Sequence, residues 1–417
     1  MNQTDAGCDI NQSAMKPVEE ALSFLLQQAR PVTDTETVAL QEGLGRILAR
    51  SVRSQVDVPP WDNSAMDGYA VRYQDLVEFQ QGLRITQRIP AGTMGTLLEP
   101  GTAARIFTGA PVPPGADTVV IQEVCEVRGD QLLVRQLPTA AGANVRRSGE
   151  DILQGEEILK PGLRLAPQHL GLAASVGSAE VEVFRPLKVA VLSSGDELVM
   201  PGRPLGEGQI YNSNQFTLSG LVQRLGCEVI PVGIVQDTHE ATCDALRQAA
   251  EAADLVLASG GVSVGEEDHV KPAVEQLGSL ELWKIASRPG KPLAFGWLGD
   301  VPFLGAPGNP VSVFVTFSIF MLPFIRLMQG QAEPVRPILR KVVAGFEKSG
   351  NDKRQEYARG RLELDGEGRQ VVRLFSNASS GVMTSVVWAN GLVVLPPLTP
   401  VATGDLVDFI PFSELFS

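Results

Sequence analysis

Downstream of Pro186 the apolar residues change period, with short runs of aliphatic residues alternating with stretches where they recur every three or four positions. This pattern predicts strands at Leu187–Ser193, Glu228–Val235 and Asp254–Ala258, and helices at Asn214–Leu225, His239–Ala253 and Asp268–Leu277. Further strands are predicted near Glu281–Ala286, Pro292–Phe295 and Val301–Leu304, ahead of an apolar helix Pro310–Met328. Strands alternating with helices form βαβ units on a parallel sheet. In such a sheet ligands bind beyond the carboxyl ends of the strands, so the fold class already fixes where to look for chemistry.

The flanks have a different texture. Lys16–Arg30 carries Val18, Ala21, Leu22, Leu25, Leu26 and Ala29 at helical spacing and predicts one amphipathic helix ending before Pro31. From Val52 to Pro186, and again after Gly330, short alternating runs sit between Gly, Pro and Asn turns and read as β-rich. The expected organisation is a loose tail (1–15), an N-terminal and linker domain (16–54 with 146–186) and a β-rich domain (55–145). An α/β domain (187–329) and a C-terminal β-rich domain (330–417) complete it.

Composition narrows the partners. Lys+Arg 35 against Asp+Glu 48 leaves a net charge of −13, the wrong sign for a protein that binds the nucleic-acid backbone or an anionic membrane. An anionic ligand would need a local reversal of sign. Val311–Ile325 is uncharged, but it is shorter than the roughly 20 residues of a spanning helix, and Pro323 interrupts it. With Gly308-Asn309-Pro310 read as turn, N-cap and N1 proline, the segment is expected to be a buried helix. Cys8, Cys125, Cys227 and Cys243 show no CxxC spacing, and His169, His239 and His269 form no metal-ligand pair, so a reducing cytoplasm is the expected location. Met1–Met15 is polar and reads as a tail rather than a targeting segment.

Four loops at the expected sheet edge are unusual: Ser194-Gly195-Asp196-Glu197, Gln236-Asp237, Ser259-Gly260-Gly261-Val262-Ser263-Val264-Gly265, and Pro307-Gly308-Asn309-Pro310. The Ser259–Gly265 loop offers backbone N–H groups unobstructed by Cβ atoms and suits an anionic group such as phosphate. A tight turn needing positive φ is the alternative reading. Glu197, Asp237 and Asp268 would surround the same cleft. Like charges about 4 Å apart, at an effective dielectric of about 20, repel by about 4 kcal/mol per pair. A hard cation would relieve that repulsion, and magnesium takes one or two carboxylates together with phosphate oxygens and water. Taken singly, Glu197 and Asp268 also read as helix N-terminal charges, and Asp237 as an Asx turn into Thr238.

Ser287-Arg288-Pro289-Gly290-Lys291-Pro292 places two cations around a Pro-Gly turn, with Lys284 just upstream. They could converge on one oxyanion, or be a solvated turn. Asp62-Asn63-Ser64-Ala65-Met66-Asp67-Gly68-Tyr69-Ala70 concentrates polar groups behind two prolines, with Trp61, Met66 and Tyr69 read as core. Thr108-Gly109-Ala110-Pro111 and Gly149-Glu150-Asp151 are further polar loops.

Taken in order, these motifs resemble the molybdopterin molybdenumtransferases, the MoeA type that includes the C-terminal domain of gephyrin. The resemblance implies a multidomain α/β plus β protein whose central domain is a molybdopterin-binding, Mog-like one. It also implies a homodimer whose cleft lies between this domain and the β domain of the partner. Family members take adenylylated molybdopterin and molybdate, release AMP with magnesium and insert molybdenum into the dithiolene. By motif, Asp62, Thr108, Asp151, Glu197, Asp237 and Asp268 correspond to the functional polar set, with Asp237 and Asp268 for magnesium. Ser194, Gly195, Gly260, Gly261, Ser263, Pro307 and Asn309 correspond to substrate loops, and Lys284, Arg288, Lys291, Ser312 and Arg359 to the anion side. A molybdopterin adenylyltransferase and molybdenum enzymes or their chaperones are the expected partners. A non-catalytic scaffold, or an adenylyltransferase sharing the α/β domain alone, are the rival classes.

Overall fold

The computed structural model describes residues 15–261, 269–332 and 334–415. Its centre is a six-stranded sheet of β1 (Lys188–Ser194), β2 (Glu228–Val235), β3 (Leu255–Ser259), β4 (Gly278–Lys284), β5 (Pro292–Leu298) and β6 (Val301–Ala306), in the order β2-β1-β3-β6-β5-β4. β2, β1, β3 and β6 are parallel, as the sequence pattern predicts. β5 and β4 are antiparallel to their neighbours. The turn at Gly299-Asp300 between β5 and β6 is far shorter than a parallel crossover requires, so the sheet turns back on itself there.

Helices α1 (Ser213–Arg224), α2 (His239–Ala252), α3 (Val270–Leu277) and α4 (Pro310–Met328) cover both faces. Alternation along β1 shows why. Val189 and Val191 pack with Leu218, Leu221 and Val222 of α1 and Phe317 and Phe324 of α4. Ala190 and Leu192 pack with Leu246 and Ala249 of α2 and Val270 of α3. α4 follows Asn309 with Pro310 in its first turn and carries a π turn at Phe317–Met321, immediately before Pro323, which cannot donate to the helical ladder. It is long and apolar enough to cross a membrane, yet 94% of its apolar window is buried within the protein, and it serves as a core helix.

The helix Val18–Gln28 places Val18, Ala21, Leu22 and Leu25 in the same cluster as Trp283 and Phe295, with Phe24 edge-on to Trp283 at 5.0 Å. Its apolar stripe therefore belongs to the α/β domain, while the strands that follow it pair elsewhere. Thr35–Ala39 pairs with Glu180–Phe184, and Val52–Arg53 with Glu157–Leu159, closing the linker domain around Leu48, Leu165, Ala173 and Val183. A second six-stranded sheet runs Thr118–Ile121, Gly68–Val71, Thr102–Ile106, Leu83–Ile89, Gln131–Val134, Cys125–Arg128. A third belongs to the C-terminal domain and takes in Ser287–Arg288, which pairs in parallel with Gln355–Glu356 and ties the cation turn to that domain.

Candidate functional site

Because β1, β2, β3 and β6 are parallel and in register, with Ser194 opposite Val235 and Ser259 opposite Ala306, their loops emerge on one edge. The loops touch one another. Gly260 has φ +83°, and a Cβ there would lie 2.6 Å from the Ser194 carbonyl oxygen, so backbone meets backbone only because the residue is glycine. Gly260 N–H donates to the Ala306 carbonyl at 3.2 Å, which brings in the loop after β6. Gly261 also has positive φ, +67°. Pro307, Gly308 and Asn309 then lead into α4, with the Asn309 side chain exposed and making no cap. Ser263 and Asp268 lie outside the described residues.

The acidic corner forms at the ends of β1 and β2. Ser194 Oγ donates to Asp237 Oδ1 at 3.4 Å, and Asp237 N–H donates to Asp196 Oδ1 at 3.2 Å. The Glu197 carboxylate folds back over Gly195, where an added Cβ would meet Oε2 at 2.5 Å. Glu197 is not at a helix start: it precedes the two-residue strand Leu198–Val199, and α1 begins only at Ser213. Asp237 makes no Asx turn either. Thr238 caps α2 with its own hydroxyl, accepting from Ala241 N–H, which leaves the Asp237 carboxylate to face Ser194.

Among the described residues no three acidic, imidazole or thiol groups converge closely enough to hold a metal by themselves. The donor chemistry at Asp237, Asp196 and Ser194 is nonetheless all oxygen, and no lysine or arginine among the described residues pairs with either acid. That set fits a hard cation such as magnesium, which needs few protein ligands when phosphate oxygens complete its shell.

The cation turn lies against the start of α4. A Cβ on Gly290, φ +94°, would meet Thr316 Oγ1 at 2.8 Å and Ser312 Cβ at 3.8 Å. Ser312 is thus brought to the turn, while the exposed Lys284 and Lys291 side chains make no ion pair among the described residues. Arg288 differs from the free cation the sequence suggests. Its Nη1 lies 3.2 Å from Asp352 Oδ2 and 3.9 Å from Glu356 Oε2. Arg359 is buried at 3% exposure, donating through Nε to Ser385 Oγ and through Nη2 to the Asn377 and Ser379 carbonyls. Burial, opposed by Glu356 and reinforced by Arg288, holds its pKa below the usual value. The acceptors named are neutral, and Arg359 lies near enough to Arg288 for the two charges to act on one another.

The remaining polar residues sit on the β-rich lobe. Asp62 accepts from Ser148 N–H at 2.8 Å and from Arg147, and the Ser148 bond leads in holding its carboxyl below the usual range, with burial opposing. Asp67 Oδ1 accepts from Thr108 N–H at 2.8 Å and Oγ1 at 2.7 Å, and these bonds lower its pKa. Asp151 is exposed, its backbone N–H donating to the Val58 carbonyl. Tyr69 is core, as read from sequence, but Trp61 and Met66 are 47% and 43% exposed because the turn holds them outward. Among the described residues, the hydrogen bonds of Asp62 run to Arg147 and Ser148 and those of Thr108 to Asp67, and none reaches Asp237 or Lys291.

Two positions carry more than the sequence indicated. Asn214 Nδ2 donates to Ser259 Oγ at 2.8 Å and to the Gly308 carbonyl at 2.7 Å, bridging two site loops. Asp67 orients Thr108. The Asp67 motif offered a signal, whereas a lone asparagine near a helix start offered none.

A mostly parallel α/β sheet with a glycine-lined loop edge, flanked by β-rich domains, defines a multidomain α/β plus β protein with its ligand edge at the strand carboxyl ends. Residues 16–177 match the MoeA N-terminal region (domain I and II), 190–327 a probable molybdopterin binding domain, and 341–412 the MoeA C-terminal region (domain IV). The chain belongs to the molybdopterin molybdenumtransferase (MoeA) family. It is 40% identical over 403 residues to the molybdopterin molybdenumtransferase of Haemophilus influenzae, covering 96% of this chain and 100% of that one. With the Nostoc protein of the same name it shares 40% identity over 372 residues, 87% of this chain and 85% of the relative. The crystal structure of a molybdopterin biosynthesis moeA protein from Pyrococcus horikoshii OT3 superposes with TM-score 0.82 at 28% identity, covering 95% of this chain and 100% of that one.

Proposed function

We propose that this transferase carries out the metal-inserting step of molybdenum cofactor biosynthesis: it takes adenylylated molybdopterin and molybdate, releases AMP and yields the cofactor. The observation that carries this reading is that one sheet edge bears both an oxygen-only acidic corner at Asp237, at its β2 end, and a cation turn against the start of α4, at its β4–β5 end. Gly195 and Gly261 put no Cβ between their backbone and a phosphate, whereas the Gly260 N–H is taken by the Ala306 carbonyl. Asp237, with Asp268, would hold magnesium, which when bound would supply positive charge to offset that of a leaving phosphate. Water adds to one phosphorus as the bridging P–O bond breaks, and the freed oxygen departs on AMP or on the molybdopterin phosphate.

Lys284, Lys291 and Ser312, backed by the charge of Arg359, concentrate molybdate beside the dithiolene. Asp62, Asp151 and Thr108 complete the cleft from the partner subunit of a homodimer, since their own lobe engages none of these groups directly. The protein works in the cytoplasm, after a molybdopterin adenylyltransferase and before molybdenum enzymes or their chaperones. Neither nucleic acid nor membrane is a partner.

The purified chain is expected to release AMP from adenylylated molybdopterin when magnesium and molybdate are supplied. Asp268→Asn should slow release by about 100-fold while leaving the melting temperature unchanged. Wild-type turnover in that variant removes the metal assignment.

A further inference from the structure

On the β-rich lobe two arginines stand directly opposite each other on neighbouring strands. In the parallel pairing of Leu83–Ile89 with Thr102–Ile106, Arg88 is opposite Arg105, and Arg105 is opposite Tyr69 in the antiparallel pairing with Gly68–Val71. The register shifts between Ile85 and Gln87, which puts a bulge at Thr86. Leu83 packs with Tyr69 and Ala103 on one face of this sheet, whereas Ile89 packs with Ala104 and Ile106 on the other. Strict alternation from Leu83 would send Arg88 to the face of Ala104 and Ile106. The bulge re-aims it onto the face of Arg105, a use of bulges that recurs beside functional sites.

Both guanidiniums lie over the Phe107 ring, Cζ to centroid 4.7 Å for Arg88 and 4.6 Å for Arg105, and Arg105 also lies 5.1 Å from the Tyr69 ring. Arg105 is engaged by neutral oxygens: Nη1 donates to the Gly68 carbonyl at 2.9 Å and Nη2 to Gln122 Oε1 at 2.6 Å. The carboxylate that feels its charge is Asp67, whose Oδ1 already accepts from Thr108. Arg88 is exposed and makes no hydrogen bond or ion pair among the described residues. Like charges directly opposite on adjacent strands are destabilising, so this pair needs a compensating gain. A guanidinium stacked on an aromatic ring keeps its N–H edge free, and that planar fork matches phosphate oxygens. Phe107 N–H donates to the Ile89 carbonyl at 3.3 Å, so the platform is fixed at the end of the strand that carries Arg88, and the chain passes from Phe107 straight into Thr108.

We propose that Arg88 is a phosphate subsite on the β-rich lobe, with Phe107 and Arg105 as its platform, and that it takes one phosphate group of the adenylylated substrate through the free edge of its guanidinium. This rests on the reading in which the Thr108 lobe closes the cleft of the partner subunit. The subsite serves the phosphates and is separate from the Lys291 turn that takes molybdate.

The test compares full-length wild type with Arg88→Gln and Arg88→Lys, exposed substitutions whose folding a thermal melt checks. Binding of inorganic pyrophosphate, measured by calorimetry without magnesium, is expected to weaken about tenfold in Arg88→Gln. Arg88→Lys should restore it only in part, because it keeps the charge and loses the planar fork. The concentration of adenylylated molybdopterin for half-maximal AMP release should rise by the same factor in Arg88→Gln, with the maximal rate and the molybdate dependence unchanged. Added salt should weaken pyrophosphate binding to wild type more than to Arg88→Gln. Pyrophosphate affinity in Arg88→Gln equal to that of wild type overturns the proposal, whether or not wild type turns over. Weakened pyrophosphate binding with an unchanged half-saturating substrate concentration overturns the assignment to the substrate. A wild type that releases no AMP overturns the proposed function instead, and the pyrophosphate titration still decides the subsite.

Discussion

Arg288, on the turn after β4, is joined to Asp352 of the C-terminal domain, Nη1 to Oδ2 at 3.2 Å. The turn that presents Lys291 is therefore held from outside its own domain, through this pair and through the parallel pairing of Ser287–Arg288 with Gln355–Glu356. Asp352 is itself clasped by Arg354, Nη2 to Oδ2 at 2.8 Å. Asp352→Asn should loosen the turn at a cost of about 1 kcal/mol or less, because the pair is partly solvated. A several-fold rise in the molybdate concentration for half-maximal AMP release, with little change in the maximal rate, is the expected kinetic signature. A molybdate titration of the variant checks it.

The same clasp gives a pH dependence. The Arg354 hydrogen bond, opposed by burial and aided by Arg288, holds the Asp352 carboxyl well below its ordinary value of 3.8. A carboxyl whose folded pKa is lowered contributes stability that is fully present above the unfolded value and is lost as pH falls through the folded one. The melting temperature of wild type should therefore exceed that of Asp352→Asn at pH 6, and the gap should narrow progressively below about pH 4. Paired thermal melts from pH 7 to pH 3 measure it.

The α/β domain was legible because its strands and helices have distinct periods, and Gly260 marks where the loop after β3 approaches the Ser194 carbonyl. What was not legible depended on residues distant in sequence. Arg288 read as a free cation because its partners, Asp352 and Glu356, belong to another domain. Arg359 was placed on the anion side by the resemblance alone, and nothing in the sequence tells that the Asn377 and Ser379 carbonyls and Ser385 fold over it. The antiparallel strands β4 and β5 share the apolar pattern of parallel ones, and only the short connections at 285–291 and Gly299-Asp300 decide their direction.

Asn214 holds the loops after β3 and β6 together through one amide, to Ser259 Oγ and the Gly308 carbonyl. Asn214→Ala leaves both acceptors without that donor, at a cost of about 1–2 kcal/mol. Because the proposed function sets substrate against these two loops, AMP release should fall by about tenfold or more even where the fold survives. Single-turnover AMP release alongside a denaturant melt separates the two effects.

In the proposed reaction the acidic corner and the cation turn act on two different substrates, the adenylylated one and molybdate. AMP release by Asp237→Asn and by Lys291→Ala, each followed as a function of molybdate concentration with magnesium in excess, tests this most directly. Asp237→Asn should depress release by about 100-fold at every molybdate concentration, whereas Lys291→Ala should shift the molybdate dependence to higher concentration. Wild-type curves from both variants would contradict the account.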